Sequence, residues 1–360
     1  MILNGLYGLA LRVRHKLYDR GWKKRTAAAV PTGCIGDVTA GGTGKTPHTE
    51  MLLRLLQESE EWKGKQLAVL SRGYKRTSKG FQQVVADGTA AFCGDEPMQV
   101  KRKFPDVVVA VDADRVEGCG FLTNPETLAG AKKARRTQHP EFPAADLILL
   151  DDAMQHRRLI PTATIALVDY GRQPADDRLL PYGRLRDLPE RLRTADIILV
   201  TKCPAYLSQQ DREECIARLG LGDAAPKVFF TTVTYDAPEG VFPEYDPRYI
   251  YSHRLILFSG IANDKPLRDY LSDTYKIVKR MVFPDHHRFS EADIRRISTL
   301  SSENPTAALA TTEKDAQRLR DYGEMPPGLR ERMFQVPIRA VFFSEQEREE
   351  FRKALLWLIK

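Results

Sequence analysis

Thr39-Ala-Gly-Gly-Thr-Gly-Lys-Thr46 has residue types suited to one task, gripping a chain of phosphates. Clustered anionic oxygens are bound by consecutive backbone N–H groups turned inward, and Gly41, Gly42 and Gly44 open that turn. Thr39, Ala40 and Thr43 fill the other loop positions, Lys45 reaches the outer phosphates, and the Thr46 hydroxyl can ligate Mg²⁺. The strict pattern has glycine where this chain has Thr39, so the match is incomplete at its first position. The flanks fit a strand–loop–helix. Residues 34–38 read as a short strand, and Met51, Leu52, Leu55 and Leu56 keep helical spacing.

A second group is acidic. The run Asp146-Leu-Ile-Leu-Leu150 reads as a strand buried on both faces, and it ends in Asp151-Asp152. Carboxylates at the C-terminal end of such a strand lie where open parallel sheets bind ligands, and there they can hold a phosphate-bound Mg²⁺. Paired aspartates are also ordinary turn residues; the loop at Lys45 favours the metal role. In Cys93-Gly-Asp-Glu-Pro97, Asp95 suits a helix N-cap and also suits a base that takes a proton from an attacking hydroxyl, with Glu96 beside it. In Phe283-Pro-Asp-His-His-Arg-Phe289, Asp285 can orient His286 toward a carboxylate elsewhere. No third ligand at usable spacing supports zinc. Arg115, after Asp112-Ala-Asp, and Arg184 and Arg186, in a Pro/Gly loop that runs to Asp187, suit binding of phosphate on a substrate, and Asp187 is taken with them as a residue near substrate.

These groups need a scaffold. Runs at 66–71, 106–111, 146–150, 164–168, 196–200, 227–233, 254–258, 275–283, 306–310 and 334–343 read as strands between helical segments. That alternation predicts an α/β fold with a mainly parallel sheet, helices on both faces, and a smaller C-terminal α/β domain. Pro238, Gly240, Pro243 and Pro247 place a boundary near 237. The expected division is 1–28, an amphipathic basic helix; 29–236, the phosphate-loop domain; and 237–360, the smaller domain. The closing helix, 346–358, is expected to pack on the last of these.

Hydrophobic residues make up 42% of the 360 and charged residues 29%, which is ordinary for a globular chain. No apolar stretch approaches the ~18 residues of a membrane span. The five scattered cysteines lack metal-ligand spacing and read as reduced thiols. Within residues 1–25, seven cations against Asp19 account for +6 of the net +7, so the basic charge belongs to one segment. The near-neutral remainder argues against a nucleic-acid surface. In that segment Ile2, Leu6, Leu9, Val13 and Leu17 form one helical stripe flanked by Arg12, Arg14 and Lys16. Two arrangements fit: a helix lying in an anionic membrane surface, or a helix packed on its own domain with solvated basic edges.

The joint occurrence of several segments resembles the tetraacyldisaccharide 4'-kinase family. They are the loop through Pro47, Leu70-Ser-Arg-Gly-Tyr74, Gly94-Asp-Glu-Pro97, Asp151-Asp-Ala-Met-Gln-His156, Leu180-Pro-Tyr-Gly-Arg-Leu-Arg186, Phe283-Pro-Asp-His286 and Thr312-Glu-Lys-Asp315. The resemblance implies transfer of phosphate from ATP, with Mg²⁺, to the 4'-hydroxyl of a tetraacylated glucosamine disaccharide 1-phosphate. It implies a peripheral enzyme on the cytoplasmic face of the bacterial inner membrane. It matches Asp95 to the base and His286 to its partner, Lys45 and Thr46 to phosphate and metal contacts, and Asp151 and Asp152 to the acidic pair. Arg115 and Arg186 match residues near substrate or phosphates. The usual Asp-Asp-Gly-Leu-Gln-His is Asp151-Asp-Ala-Met-Gln-His here, and Asp187 stands where glutamate is common. The alternative is a nucleotide-switched ATPase of the partitioning type, which carries a similar loop and needs no lipid acceptor.

Overall fold

The computed structural model describes residues 2–129, 137, 141–222 and 226–360. Buried apolar runs build a nine-stranded sheet. Across it lie Ile338–Phe342, Lys227–Tyr235, Ile197–Thr201, Ala163–Asp169, Thr32–Gly36, Leu147–Asp151, Leu67–Ser71, Val108–Val111 and Gln82–Val84. Neighbouring strands are parallel except at the two edges, where Ile338–Phe342 and Gln82–Val84 run antiparallel. Alternate side chains feed two apolar clusters, one on each face: Ile35, Leu147 and Leu149 enter one, Cys34, Ile148 and Leu150 the other. Both faces are thus covered, the arrangement that uninterrupted apolar runs demand.

The strand before the phosphate loop is wholly buried and lies between Leu147–Asp151 and Ala163–Asp169. Its register pairs Ile35 with Asp151, which sets the acidic end of one strand beside the loop leaving the next. Gly36 has to be glycine there, because a Cβ on it would lie 2.5 Å from that of Met154.

A second sheet has five strands in the order Glu239–Gly240, Met333–Val336, Ala308–Thr312, Arg254–Ser259 and Lys276–Val282. The chain enters it after Tyr235 and leaves it at Pro337. The run 334–343, expected as one strand, is therefore two strands in different sheets. Pro337 has no N–H to give a ladder, and the pairing breaks at that residue. The return also corrects the placement of the closing helix Glu345–Leu358. Its Phe351, Leu355 and Leu356 join the cluster of the nine-stranded sheet, with the Phe351 ring 5.3 Å from that of Phe229. Apolar periodicity identified the helix but carried no information about which sheet it would meet.

Helix α1, Ile2–Asp19, lies with Gly8, Leu11, His15 and Tyr18 buried. Leu6, Leu9 and Val13 of the predicted stripe face outward, 57%, 56% and 51% exposed. The Ile2 side chain lies outside the described residues.

Candidate active site

The loop takes the conformation its glycines allow: Gly41, Gly42 and Gly44 have φ of 76°, 77° and 87°. Helix α2, Lys45–Glu58, begins directly after them, so its N-terminal amides and positive dipole end face the loop. Asp37, fully buried just beyond the preceding strand, organises this region. Lys45 Nζ donates to its Oδ2 at 2.6 Å, the Thr43 hydroxyl donates to the same oxygen, and Arg186 pairs with Oδ1. The Thr39 and Thr46 side chains are buried here as well, and the Ala40 N–H donates to the Arg184 carbonyl at 2.6 Å. Thr201 Oγ1 donates to the Thr43 carbonyl at 2.9 Å and Lys202 to that of Gly42, bracing the loop from the next strand but one.

Lys45 Nζ also lies 3.8 Å from Asp152 Oδ1. Asp152 has φ of 51° and receives a two-pronged contact from Arg186, Nη1 to Oδ2 at 3.0 Å and Nη2 to Oδ1. Burial raises its carboxyl, but the Arg186 bonds and the Lys45 charge outweigh that and hold it below the ordinary carboxylate range. Asp151 behaves oppositely. Burial, with the Asp152 charge added, pushes it up to about 6. Its Oδ2 accepts from Ser71 Oγ at 3.1 Å, while Oδ1 is buried without a hydrogen-bond partner.

That orphaned oxygen is the feature a divalent cation would complete. Among the described residues no set of three or more His, Cys, Asp or Glu could hold a metal by itself. A Mg²⁺ that arrives with a nucleotide does not need one, since phosphates and water supply most of its ligands. Thr46, Asp151 and Asp152 therefore fit the ion.

Two expected ligand-facing residues point elsewhere. Arg115 is buried, donating to the backbone carbonyls of Asp112 at 2.6 Å and Asp151 at 3.2 Å, so it supports the strand end from behind. Asp187 has no exposed surface and sets Oδ1 2.6 Å from His15 Nε2, facing α1.

Asp95 is the first residue of the helix Asp95–Lys103, and Gly94, at φ 102°, takes the N-cap position expected for Asp95. A Cβ on Gly94 would lie 3.2 Å from Gly73 Cα, and this close approach joins Asp95 to the segment after Ser71. From the second sheet come His286, with Nδ1 3.4 Å from Asp95 Oδ2, and Arg318, with Nε at 2.8 Å and Nη2 at 2.5 Å from the same oxygen. Burial raises the Asp95 carboxyl, but the bonds from His286 and Arg318 more than offset this and leave it low, an ionised carboxylate at neutral pH.

Asp285 is half exposed, its Oδ2 4.0 Å from the other ring nitrogen of His286. Glu96 turns away to Lys314 at 2.7 Å, an ion pair between the two sheets' layers. His287 pairs with Asp293 at 2.9 Å in the cap of the next helix and ligates nothing among the described residues. Tyr74, Asp95, His286, Arg288, Arg318 and Tyr322 help line a cleft of about 160 Å³.

Sequence reasoning missed Asp37, Arg318 and His15. Arg318 was findable: it lies one helical turn beyond Asp315 of Thr312-Glu-Lys-Asp315, on the same face, and its Nη1 bonds Asp315 Oδ1 at 3.0 Å. Asp37 falls at the end of the predicted strand 34–38, next to the loop, a position that itself marks a ligand edge. A histidine inside a basic helix carried no such signal.

The profile of the family described as tetraacyldisaccharide-1-P 4'-kinase matches residues 1–359. A tetraacyldisaccharide 4'-kinase of Parabacteroides distasonis is 38% identical over 353 residues, 96% of this chain and 90% of that protein. One from Flavobacterium johnsoniae is 37% identical over 356 residues, 99% of this chain and 95% of the relative. The crystal structure of the "apo" form of LpxK from Aquifex aeolicus in complex with ATP superposes with a TM-score of 0.69 at 25% identity, covering 99% of this chain and 98% of that one.

Proposed function

The chain belongs to the tetraacyldisaccharide-1-P 4'-kinase family, and from that membership we propose that Asp95, His286 and Arg318 present a sugar hydroxyl to a triphosphate gripped at residues 39–46. The protein is an ATP-dependent kinase that phosphorylates the 4' position of a tetraacyldisaccharide 1-phosphate, a lipid A precursor. The observation that carries the site assignment is the meeting of Asp95 with His286 and Arg318, next to the strand end where Gly94 packs on Gly73 and Ser71 bonds Asp151.

In this reading an oxygen lone pair of the 4'-hydroxyl attacks the γ-phosphorus of ATP. The new P–O bond forms as the bond from that phosphorus to the β,γ-bridging oxygen breaks, and ADP leaves with those electrons. The hydroxyl proton passes to the Asp95 carboxylate. Oδ2 is occupied by Arg318 and His286, which leaves Oδ1 to accept it. Lys45 and the loop amides stabilise the charge on the transferring group. Held with the nucleotide by Thr46, Asp151 and Asp152, Mg²⁺ would neutralise phosphate charge. Arg186 keeps Asp152 ionised and orients it. Asp285 steadies His286 from its far nitrogen. Arg115 and Glu96 support the site from behind rather than touching substrate.

We further assign the outward stripe of α1 to an anionic membrane surface, the inner face of the bacterial inner membrane, where an acylated substrate resides. Leu6, Leu9 and Val13 are exposed with basic residues beside them, while the opposite face docks on the protein. Among the described residues no helix is long and apolar enough to cross a membrane. The layer of the nine-stranded sheet grips the nucleotide, and the five-stranded one brings His286 and Arg318. A nucleotide switch of the partitioning type would have no use for this cleft, nor would a nucleic-acid tether. The deciding experiment is transfer of labelled γ-phosphate to an acylated disaccharide 1-phosphate in vesicles, against hydrolysis without acceptor. Hydrolysis at one rate with and without the lipid would reject the assignment.

A further inference from the structure

The inner face of α1 makes contacts that a simple tether does not require. Tyr7 donates its hydroxyl proton to the backbone carbonyl of Arg186 at 2.8 Å. Arg14 donates to the Gln155 carbonyl at 2.7 Å, and Gln155 in turn donates to the Asp37 carbonyl at 2.7 Å. His15 Nε2 meets Asp187 Oδ1 at 2.6 Å. Its Nδ1 meets Arg157 Nη1 at 2.8 Å, and Arg157 also reaches Asp19 at 2.6 Å. Arginine can only donate, so Nδ1 accepts and the proton on Nε2 goes to Asp187. Each of these bonds ends on residues that frame the loop: 155–157, following Asp152, and 186–187, beside Asp37.

Asp187 is the pivot. Its carboxylate is entirely buried, and burial without a partner is costly. Its Oδ1 accepts from His15 Nε2 and from the Leu188 N–H at 2.9 Å, so the His15 bond is the long-range contact that helps hold residues 186–187 where they sit. Their two backbone N–H groups donate to the Val38 carbonyl at 2.9 and 3.2 Å, one residue before the phosphate loop begins. From that fixed backbone the Arg186 side chain spans Asp37 and Asp152, the two carboxylates that flank Lys45.

We propose that His15 and Tyr7 of α1 are positioning residues for nucleotide binding, setting Arg186 through Asp187 and the Arg186 carbonyl. One rigid helix then presents an apolar stripe outward and completes the phosphate site inward. Nucleotide affinity becomes a property of the docked helix as well as of the loop. The proposal rests on the reading of residues 39–46 as the ATP site.

The test uses the full chain in detergent, with calorimetric binding of Mg·ATP and separate KM and kcat for ATP. His15→Leu is expected to weaken Mg·ATP binding about tenfold, the scale of one lost charged hydrogen bond. That loss appears in KM for ATP more than in kcat. His15→Gln, which keeps one donor and one acceptor, restores most of the affinity. Tyr7→Phe removes a single hydroxyl from a partly exposed side chain and is expected to weaken binding about threefold. Wild-type affinity in both His15→Leu and Tyr7→Phe overturns the proposal. Should His15→Leu fail to fold, Tyr7→Phe decides alone: unchanged affinity overturns the proposal, and weakened affinity supports it. Absence of Mg·ATP binding in the wild type instead removes the nucleotide reading, and this inference with it.

Discussion

Arg318 donates from both Nε and Nη2 to a single oxygen of Asp95, Oδ2, at 2.8 and 2.5 Å. Two residues 223 positions apart are joined through one atom, which holds that oxygen in place and keeps the carboxylate charged. Removing the guanidinium lets burial dominate, and the Asp95 pKa rises. The base works only when ionised, so activity is lost as pH falls through that pKa. Arg318→Gln should move the acidic limb of the kcat profile to higher pH and lower kcat about tenfold or more at neutral pH. The groups around Asp95 are Glu96, Lys314, Asp315, Asp321 and His286 as well as Arg318, and the variant leaves the others in place. An unmoved limb would mean that Arg318 does not set the charge of Asp95.

Asp95→Asn keeps the shape of the site and removes its base. Turnover should fall by about 10²- to 10⁴-fold while Mg·ATP binds as before. Calorimetry beside steady-state kinetics separates the two, and a parallel loss of binding would move Asp95 into the nucleotide site.

Lys45→Met takes away the loop's cation. The expected loss in kcat/KM corresponds to about 2 kcal/mol or more of transition-state stabilisation, the scale for one preorganised charge contact. A change confined to thermal stability would contradict its assignment to the phosphates.

Leu9→Asp puts a charge into the outward face of α1, where the side chain touches little protein. Co-sedimentation with anionic vesicles should fall sharply, and wild-type binding should weaken as salt rises. Vesicle binding that ignores both changes would leave α1 as a packed element only.

Phe351→Ala in the closing helix empties a fully buried site against Phe229 and Phe342, with ring centroids at 5.3 and 5.0 Å. The cost should be about 3–5 kcal/mol. Mg·ATP should still stabilise the variant, by an increment set by its concentration relative to Kd and not by the lost packing. A loss seen only in the five-stranded layer would contradict the packing described.

The sequence made much of this legible because local chemistry and fold agree there. Three glycines before Lys45 force a loop, and an apolar run ending in Asp151-Asp152 places its carboxylates at a strand's C-terminal edge. Those signals are short-range. What stayed hidden depends on contacts between distant segments. Nothing near Arg318 states that Asp95 will face it, nothing near His15 announces a buried aspartate 172 residues away, and the apolar face of 346–358 suits either sheet equally. Arg115 illustrates the converse, since its residue type suggested a phosphate contact where burial commits it to backbone carbonyls of the protein.

The chain's exit after Tyr235 and its return at Pro337 run side by side: Tyr235 pairs with Ile338, and the Asp236 N–H donates to the Pro337 carbonyl at 2.9 Å. The two layers are therefore connected by a ribbon two strands wide instead of a single thread. A ribbon flexes easily across its flat face and resists shearing or spinning in its plane. His286 and Arg318 are thus held opposite Asp95 by a connection two strands wide, which limits how far they can turn about the chain axis.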